Sequence, residues 1–169
     1  LVETTTASRE AAAPGLPLAQ IAPPLRVRRW YHDGLSLDAP VSGEYMAPGA
    51  WRGDPDAQTH PSAVIENGAT ASGAARAAAL RALAGRVFRE ESWGDGDAPL
   101  EVQDTGYTVR ILQDHQDASS VFAHETDRFT RRYEGEGHDP RETRQIVLQV
   151  DAFGVETEIC DIAYARRPW

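Results

Sequence analysis

The sequence predicts a mainly β fold, in which an antiparallel meander of strands follows one short helix and an irregular N-terminal part. The strands are indicated by segments in which apolar and polar residues alternate, a pattern typical of strands with one buried face. The helix is indicated by one alanine-rich segment of high helix propensity. Glycine, proline and aspartate separate these segments, as expected of turns. A chain of 169 residues is long enough to bury a core of its own.

The N-terminal part begins with residues 1–24, whose threonines, alanine run and prolines favour an extended linker over packed structure. Residues 25–31 alternate enough to predict a strand, which His32–Gly34 closes with a turn. Residues 42–73 are rich in glycine, proline, aspartate and alanine, so we expect an irregular loop there.

The one helix is predicted over residues 74–84. Ser72 and Thr70 are both candidate N-caps, because a hydroxyl can accept a bond from a free N–H of the first turn. Gly85 follows the segment and is expected to end the helix.

After the helix, alternation predicts about five strands in sequential antiparallel order, each paired with its neighbour. They cover residues 86–93, 105–111, 121–133, 144–150 and 155–164.

The last two strands form a predicted hairpin with the most regular alternation in the chain. Ile146, Leu148 and Val150 are expected on one buried face. Asp151 and Gly154 supply turn chemistry, because aspartate can bond to its own backbone and glycine tolerates positive φ.

The returning strand changes its apolar face part of the way along. Apolar residues occupy odd positions over 155–159 and even positions over 160–164. A β-bulge would shift the face in this way. Cys160 lies in this strand, excludes an internal disulfide as the single cysteine, and is expected to be a buried thiol.

Composition argues against two classes of partner. The formal net charge is −9, and all 17 basic residues are arginine without a basic stripe, which argues against nucleic acid and anionic membrane surfaces. No apolar run approaches the roughly 18 residues of a membrane span. The chain does not begin with methionine, and we interpret it as a piece of something longer.

Acidic and histidine side chains between two predicted strands are the best metal candidates in the sequence: His115, Asp117, His124, Glu125 and Asp127. Their spacing fits no zinc motif, and such residues at a turn are usually solvated. We therefore predict no metal site and no cofactor.

Catalytic patterns are equally weak. His32, Asp33 and Glu44 could form a hydrolase triad with a serine, but no Gly-x-Ser-x-Gly elbow accompanies them. The paired acids at 90–91 and 95–97 flank a turn, where they are expected to serve solubility rather than acid–base catalysis. We predict no catalytic residue.

The arginines within residues 128–132 form a basic cluster in the third of these strands. Asp127, Glu134 and Glu136 lie nearby, which favours charge pairing across strands.

A series of short motifs resembles, in the same order, the middle region of the B component of bacterial insecticidal toxin complexes, the Tc toxins; related plasmid virulence proteins and Rhs/YD-repeat toxins are similar there. The resemblance covers roughly residues 25–167. The motifs are Arg29–Gly34, Gly43–Tyr45, Leu80–Glu90, Tyr107–Gln113, Val121–Phe122, Tyr133–Glu134, Asp139–Arg141 and Leu148–Gly154.

The resemblance implies a structural role. In that family the B component is a very large chain with a β-propeller gate and Rhs-type strands, which spiral into a hollow shell closed by the C component. The shell holds a cytotoxic effector until the propeller docks on the translocation channel of the A component. This chain would then be a non-catalytic segment of Rhs-like shell strands in a secreted toxin complex. Residues 1–24 would be a linker or shell-entry segment, and residues 25–169 the β-rich middle region.

One turn carries a specific part of this resemblance. Asp151, Phe153 and Gly154 resemble the Asp-x-x-Gly-Asn turn of an Rhs unit, although Val155 replaces the asparagine. The implied partners are the rest of the B-component shell, the C component with its effector, and the A-component pore, with neither nucleic acid nor membrane contacted by this segment.

A second hypothesis is a stand-alone module that binds a protein or a glycan. Four aromatic residues in the otherwise irregular N-terminal part would form its surface, because aromatic side chains dominate many binding sites. They are Trp30, Tyr31, Tyr45 and Trp51.

Overall fold

The computed structural model of the chain describes residues 2–6, 25–34, 49–57, 63–115, 119–133 and 137–166. Within these residues the chain forms one mainly antiparallel sheet with one short helix, which confirms the predicted fold class. No helix in the described ranges has the length and apolar character needed to cross a membrane.

The helix α1 spans Gly73–Leu83 and lies between the third and fourth strands. The strands in chain order are β1 (Val2–Thr6), β2 (Leu25–Tyr31), β3 (Val64–Ile65), β4 (Val87–Trp93), β5 (Pro99–Gln113), β6 (Ser120–Arg132), β7 (Arg141–Val150) and β8 (Glu156–Ala163).

The sheet follows the order β1-β2-β4-β5-β6-β7-β8, and every adjacent pair in this order is antiparallel. The five strands after α1 are therefore a meander, as the sequence predicts. β3 departs from it, because it pairs in parallel with β5 at Thr108 and Val109.

Alternation sets which side of the central strands is buried. In β4 the odd-numbered residues from Arg89 to Trp93 are buried and their neighbours are not. β6 repeats this over Asp127, Phe129 and Arg131. Cross-strand neighbours share one face, so these residues form one buried surface. Its largest apolar members are Trp30, Trp93, Val102, Phe129 and Tyr133.

Helix α1 begins and ends within one residue of the predicted range 74–84. The Ser72 hydroxyl accepts a hydrogen bond from the Ala75 N–H (3.1 Å), so Ser72 rather than Thr70 is the N-cap. After Leu83 the chain leaves the helix, and Gly85 adopts positive φ (78°). The helix packs its buried face on β5 and β6, in a core that includes Tyr107 and Val109.

The structure adds two strands to the N-terminal part. Residues Val2–Thr6, inside the segment predicted as extended linker, pair with β2. Val64–Ile65, inside the predicted irregular loop, form β3. Both pairings join segments distant in sequence, so local composition does not indicate them. The remainder of the predicted linker, 7–24, lies outside the described residues.

Candidate interaction surface

A network of charged side chains lies within the buried face of the sheet. Arg89, Glu91, Asp104 and Arg131 are each 3% exposed or less. Arg89 donates to the Glu91 carboxylate from Nε (2.8 Å) and to the Asp104 carboxylate from Nη1 (3.0 Å). Arg131 donates to the other oxygen of Asp104. Two cations and two anions thus balance one another, which offsets the cost of removing them from water.

A loop over residues 49–57 covers this network. The Trp51 N–H donates to Glu91 (2.9 Å), and the Trp51 carbonyl accepts from Arg89 (3.2 Å). The Trp51 ring meets the Tyr133 ring edge-on at 4.7 Å. The Tyr133 hydroxyl donates to the buried carboxylate of Asp54 (3.1 Å). Polar and aromatic contacts together therefore fix the loop on the sheet.

Burial shifts the protonation equilibria of these groups. Desolvation, together with the nearby Arg89 charge, lowers the pKa of Arg131 to about 10. Desolvation also lowers the pKa of Arg89, against the opposing effect of Glu91. The pKa of Tyr133 is raised by burial and by the adjacent Asp54 carboxylate. At neutral pH the arginines stay charged and the phenol stays neutral, so the network suits a structural role.

The acids predicted as solvated pairs divide into two groups. Asp95 and Asp97 are exposed, as expected. Glu91 is fully buried, so the prediction is wrong for it, because the loop at 49–57 covers its side of β4. Glu90 points to the other face and binds Arg29 (2.5 Å).

The predicted basic cluster pairs mainly across strands. Its ion pairs are Arg131 with Asp104, Arg132 with Glu101, and Arg128 with Glu125 in the same strand. The predicted partners at 134–136 lie outside the described residues. Asp127 instead accepts from Arg144 of β7.

The metal candidates do not form a site in the described part of the chain, which contains no group of three or more side chains able to hold a metal ion. His115 is exposed beyond the end of β5. His124 stacks on a phenylalanine ring, and burial lowers its pKa. Asp127 and Glu125 pair with arginines. Asp117 lies outside the described residues.

The residues considered for a hydrolase triad have different surroundings in the structure. His32 packs against Phe88 (ring centroids 5.1 Å apart) and Tyr107 (5.8 Å), which is an aromatic packing role. Asp33 is exposed. Glu44 lies outside the described residues.

The aromatic residues of the binding-module hypothesis do not share one exposed surface. Trp30 is 2% exposed, because its strand directs it into the buried face. Trp51 is half-buried against Tyr133, and Tyr31 is half-buried at the end of β2. Tyr45 lies outside the described residues.

The turn between β7 and β8 has the predicted chemistry. The Asp151 carboxylate accepts from the N–H groups of Phe153 (2.8 Å) and Val155 (2.9 Å). Gly154 has φ of 87°, and a Cβ at this position would lie 2.5 Å from the Phe122 ring of β6. Glycine is therefore required both by the positive φ of the backbone and by the close approach of the Phe122 ring.

The β7–β8 hairpin exposes much of its apolar surface. Leu148, predicted on the buried face, is 57% exposed, and Ile159 is 45% exposed. Phe153 at the turn is 91% exposed, and Val155 beside it is 59% exposed. Cys160 is only half-buried, so the predicted buried thiol is wrong. Neither strand contains a fully buried residue.

An irregular pairing register between β7 and β8 explains why the hairpin does not bury the face that the alternation predicts. The pairing runs regularly from Ala163 to Ile159, and then skips Leu148 in β7 and Thr157 in β8. The predicted bulge after Ile159 therefore lies nearer the turn and involves both strands. Each skipped residue changes which side the following residues face.

An open groove of about 400 Å³ is lined by residues of β6, β7 and β8. Its lining includes Arg128, Thr130, Thr143, Gln145 and Asp161. Together with the exposed apolar residues of the hairpin, this groove leaves the β6–β8 end of the sheet incompletely covered.

Comparison with known proteins relates this chain to toxin components. A family model described as the insecticide toxin TcdB middle/C-terminal region matches residues 78–169, more than half of the chain. No curated protein matches.

Solved structures similar to the chain are much longer than it is. A crystal structure of TcdB2-TccC3 aligns with a TM-score of 0.73 and 25% identity, over 88% of this chain and 8% of that chain. A structure of the Photorhabdus luminescens Tc holotoxin pore aligns with a TM-score of 0.65 and 25% identity, over 88% and 7%. A crystal structure of TcdB2-TccC3-Cdc42, at 24% identity and a TM-score of 0.74, has the same fold.

Proposed function

The chain belongs to the family of insecticide toxin TcdB middle/C-terminal regions, and from this premise we propose that it is a non-catalytic wall segment of a B-component shell. The shell would enclose a cytotoxic effector. The observation that carries this proposal is the sequential antiparallel sheet, whose last hairpin leaves apolar and main-chain groups uncovered.

A wall segment accounts for the uncovered hairpin. An edge strand with exposed apolar side chains favours association, and proteins normally pair or cover such edges. The aligned structures are chains of which this chain covers 8% or less. Neighbouring strands of a longer chain would cover the hairpin, whereas a self-contained recognition module would leave it open.

The buried network supports a rigid role for the rest of the sheet. Arg89, Asp104 and Arg131 tie β4, β5 and β6 together, and the loop at 49–57 is fixed over them. These buried ion pairs hold the three strands in one register, because separating them would leave charges out of water without their partners. Such stiffness suits a wall that must hold its shape.

The proposed partners follow from the complexes to which the chain is similar. They are the remainder of the B-component shell, a C component that carries the effector, and the channel of an A component. We propose a secreted complex. The negative charge of this segment favours neither nucleic acid nor an anionic membrane as its contact.

Protease protection tests the wall role. The complete parent chain is assembled with its C component, and digestion of the effector is followed over time. We expect the effector to be protected in the wild-type complex and to become sensitive when Asp104→Ala weakens the sheet. Glu101→Ala, which removes an exposed ion pair with Arg132, is the matched control and should leave protection intact.

Two outcomes would contradict the proposal. Effector digestion as fast in the wild-type complex as for free effector would exclude enclosure. Undiminished protection in an Asp104→Ala complex whose segment is measurably loosened would place this sheet outside the wall.

A further inference from the structure

Strand β8 presents one edge to which no strand is paired in the described part of the chain. It pairs with β7 on its other side, over Thr143–Val150. Its residues Glu156–Ala163 are exposed or half-buried throughout. The free edge therefore offers main-chain donors and acceptors for another strand.

The side chains along this edge are acidic. Glu156, Glu158 and Asp161 are exposed, and the strand contains no basic residue. Within the described residues neither glutamate has an ion-pair partner, and their opposite residues in β7 are uncharged. Asp161 accepts a hydrogen bond from Gln145 (3.0 Å).

Elsewhere in the sheet, acidic residues commonly lie directly opposite arginines. Cross-strand pairs of opposite charge contribute to strand pairing, and like charges oppose it. One position sets two arginines opposite each other, at 132 and 141. The acid–arginine pairs in register include Arg28–Glu91, Arg29–Glu90, Arg89–Asp104, Glu101–Arg132 and Arg131–Glu142.

We propose that the free edge of β8 receives an arginine-bearing strand from the rest of the parent chain, with arginine opposite the acidic residues and an apolar residue opposite Ile159. This inference rests on the proposed wall function and names the chemistry of the neighbouring strand. The same rule of opposite charges operates at the other strand pairs, and Ile159 adds an exposed apolar contact.

A second copy of this chain is a poor occupant of the edge. Self-pairing of two β8 edges would place the three acidic side chains of each copy on neighbouring strands, and like charges across neighbouring strands oppose pairing. The acidic side chains thus act against self-association while selecting a basic strand.

The chain itself supplies a defined arginine-bearing probe. The variant Glu156→Arg, Glu158→Arg, Asp161→Arg keeps the apolar pattern of β8 and reverses its charge. We expect wild type and variant to remain monomeric alone and to form a 1:1 dimer when mixed. The dissociation constant of the mixed pair should be at least about tenfold lower than that of either homodimer, because repulsion between two like-charged edges is replaced by attraction between an acidic and a basic edge.

Sedimentation at low and high salt measures the association, and hydrogen exchange locates it. β8 amides should become protected in the mixed dimer, and salt should weaken it. The matched control carries the same charge change at the exposed residues Asp56, Asp95 and Asp97, and should not dimerise with wild type.

The outcomes separate the alternatives. Wild-type dimerisation through β8 would make a second copy the occupant and overturn the proposal, as would equal association with the control or none with the β8 variant. If the arginine variant does not fold, the neutral variant Glu156→Gln, Glu158→Gln, Asp161→Asn takes its place. This variant should self-associate at concentrations where wild type remains monomeric. A neutral variant that also remains monomeric would overturn the proposal. The wall function is judged separately by effector protection.

Discussion

Replacing Asp104 with alanine is expected to destabilise the sheet more than any change to an exposed ion pair. Asp104 is fully buried and accepts hydrogen bonds from Arg89 and Arg131 on the neighbouring strands. Its removal leaves Arg131 buried without that carboxylate, while Arg89 retains Glu91. Breaking one partner from a buried pair costs about 3–5 kcal/mol, because an uncompensated charge remains out of water.

The exposed pair of Arg132 with Glu101 provides the comparison in the same two strands. Its side chains are 68% and 34% exposed. Solvent screens this interaction, so Glu101→Ala should cost about 0–1 kcal/mol. For a chain of this size each kcal/mol lowers Tm by roughly 2–4 °C, and the two variants should separate clearly.

Urea and thermal unfolding of the 169-residue chain, followed by tryptophan fluorescence, measures both costs, since Trp30 and Trp93 are buried in the same face. The second substitution Arg131→Met should cost less in the Asp104→Ala background than alone, because the ion pair between Arg131 and Asp104 is then already absent. Equal destabilisation by Asp104→Ala and Glu101→Ala would refute the assigned role of the network.

Three further predictions concern local features. Gly154→Ala should destabilise the chain by about 1–3 kcal/mol in urea unfolding, through positive φ and the contact with β6, whereas Gly73→Ala in open space at the start of α1 should be neutral or stabilising; equal effects would contradict the account of the turn. Ser72→Ala should cost about 1 kcal/mol of stability and lower helicity by circular dichroism, and Thr70→Ala much less; the reverse order would exchange the cap. Because the pKa of Tyr133 is raised in the folded state, that state holds its proton more tightly, so stability is complete below about pH 10 and falls as pH rises beyond it; Tyr133→Phe should flatten this fall in denaturation curves, and an unchanged slope would contradict the buried phenol.

The sequence predicts the elements whose signal is local. Alternation indicates all five strands after the helix, and the Ser72 hydroxyl and Gly85 bound α1 at both ends. The sequence signal for the turn at Asp151 likewise lies within a few residues. Each of these depends on neighbours in sequence, which is the range over which pattern and propensity act.

Contacts between segments that are distant in sequence explain the features that the sequence does not predict. Glu91 looks like half of a solvated acidic pair until the loop at 49–57 covers it, some 40 residues earlier in the chain. Trp30 looks available for binding until β2 directs it into the same buried face. The two-residue β3 has no periodic signal of its own and exists through its pairing with β5.

The hairpin shows a different reason for failure. Its alternation is regular, yet Leu148 is exposed, because one skipped residue in each strand changes the register. Alternation alone indicates an apolar face without saying what covers it. Here little of the described chain does, which is the basis for treating β8 as a surface for further wall strands.

The structure of the complete parent chain with its C component tests the central claim most directly. We predict that this sheet lies in a continuous shell wall around the effector, with a further strand paired to the free edge of β8. A separate domain on the outside of the assembly, with β8 open to solvent and no enclosed effector, would contradict it.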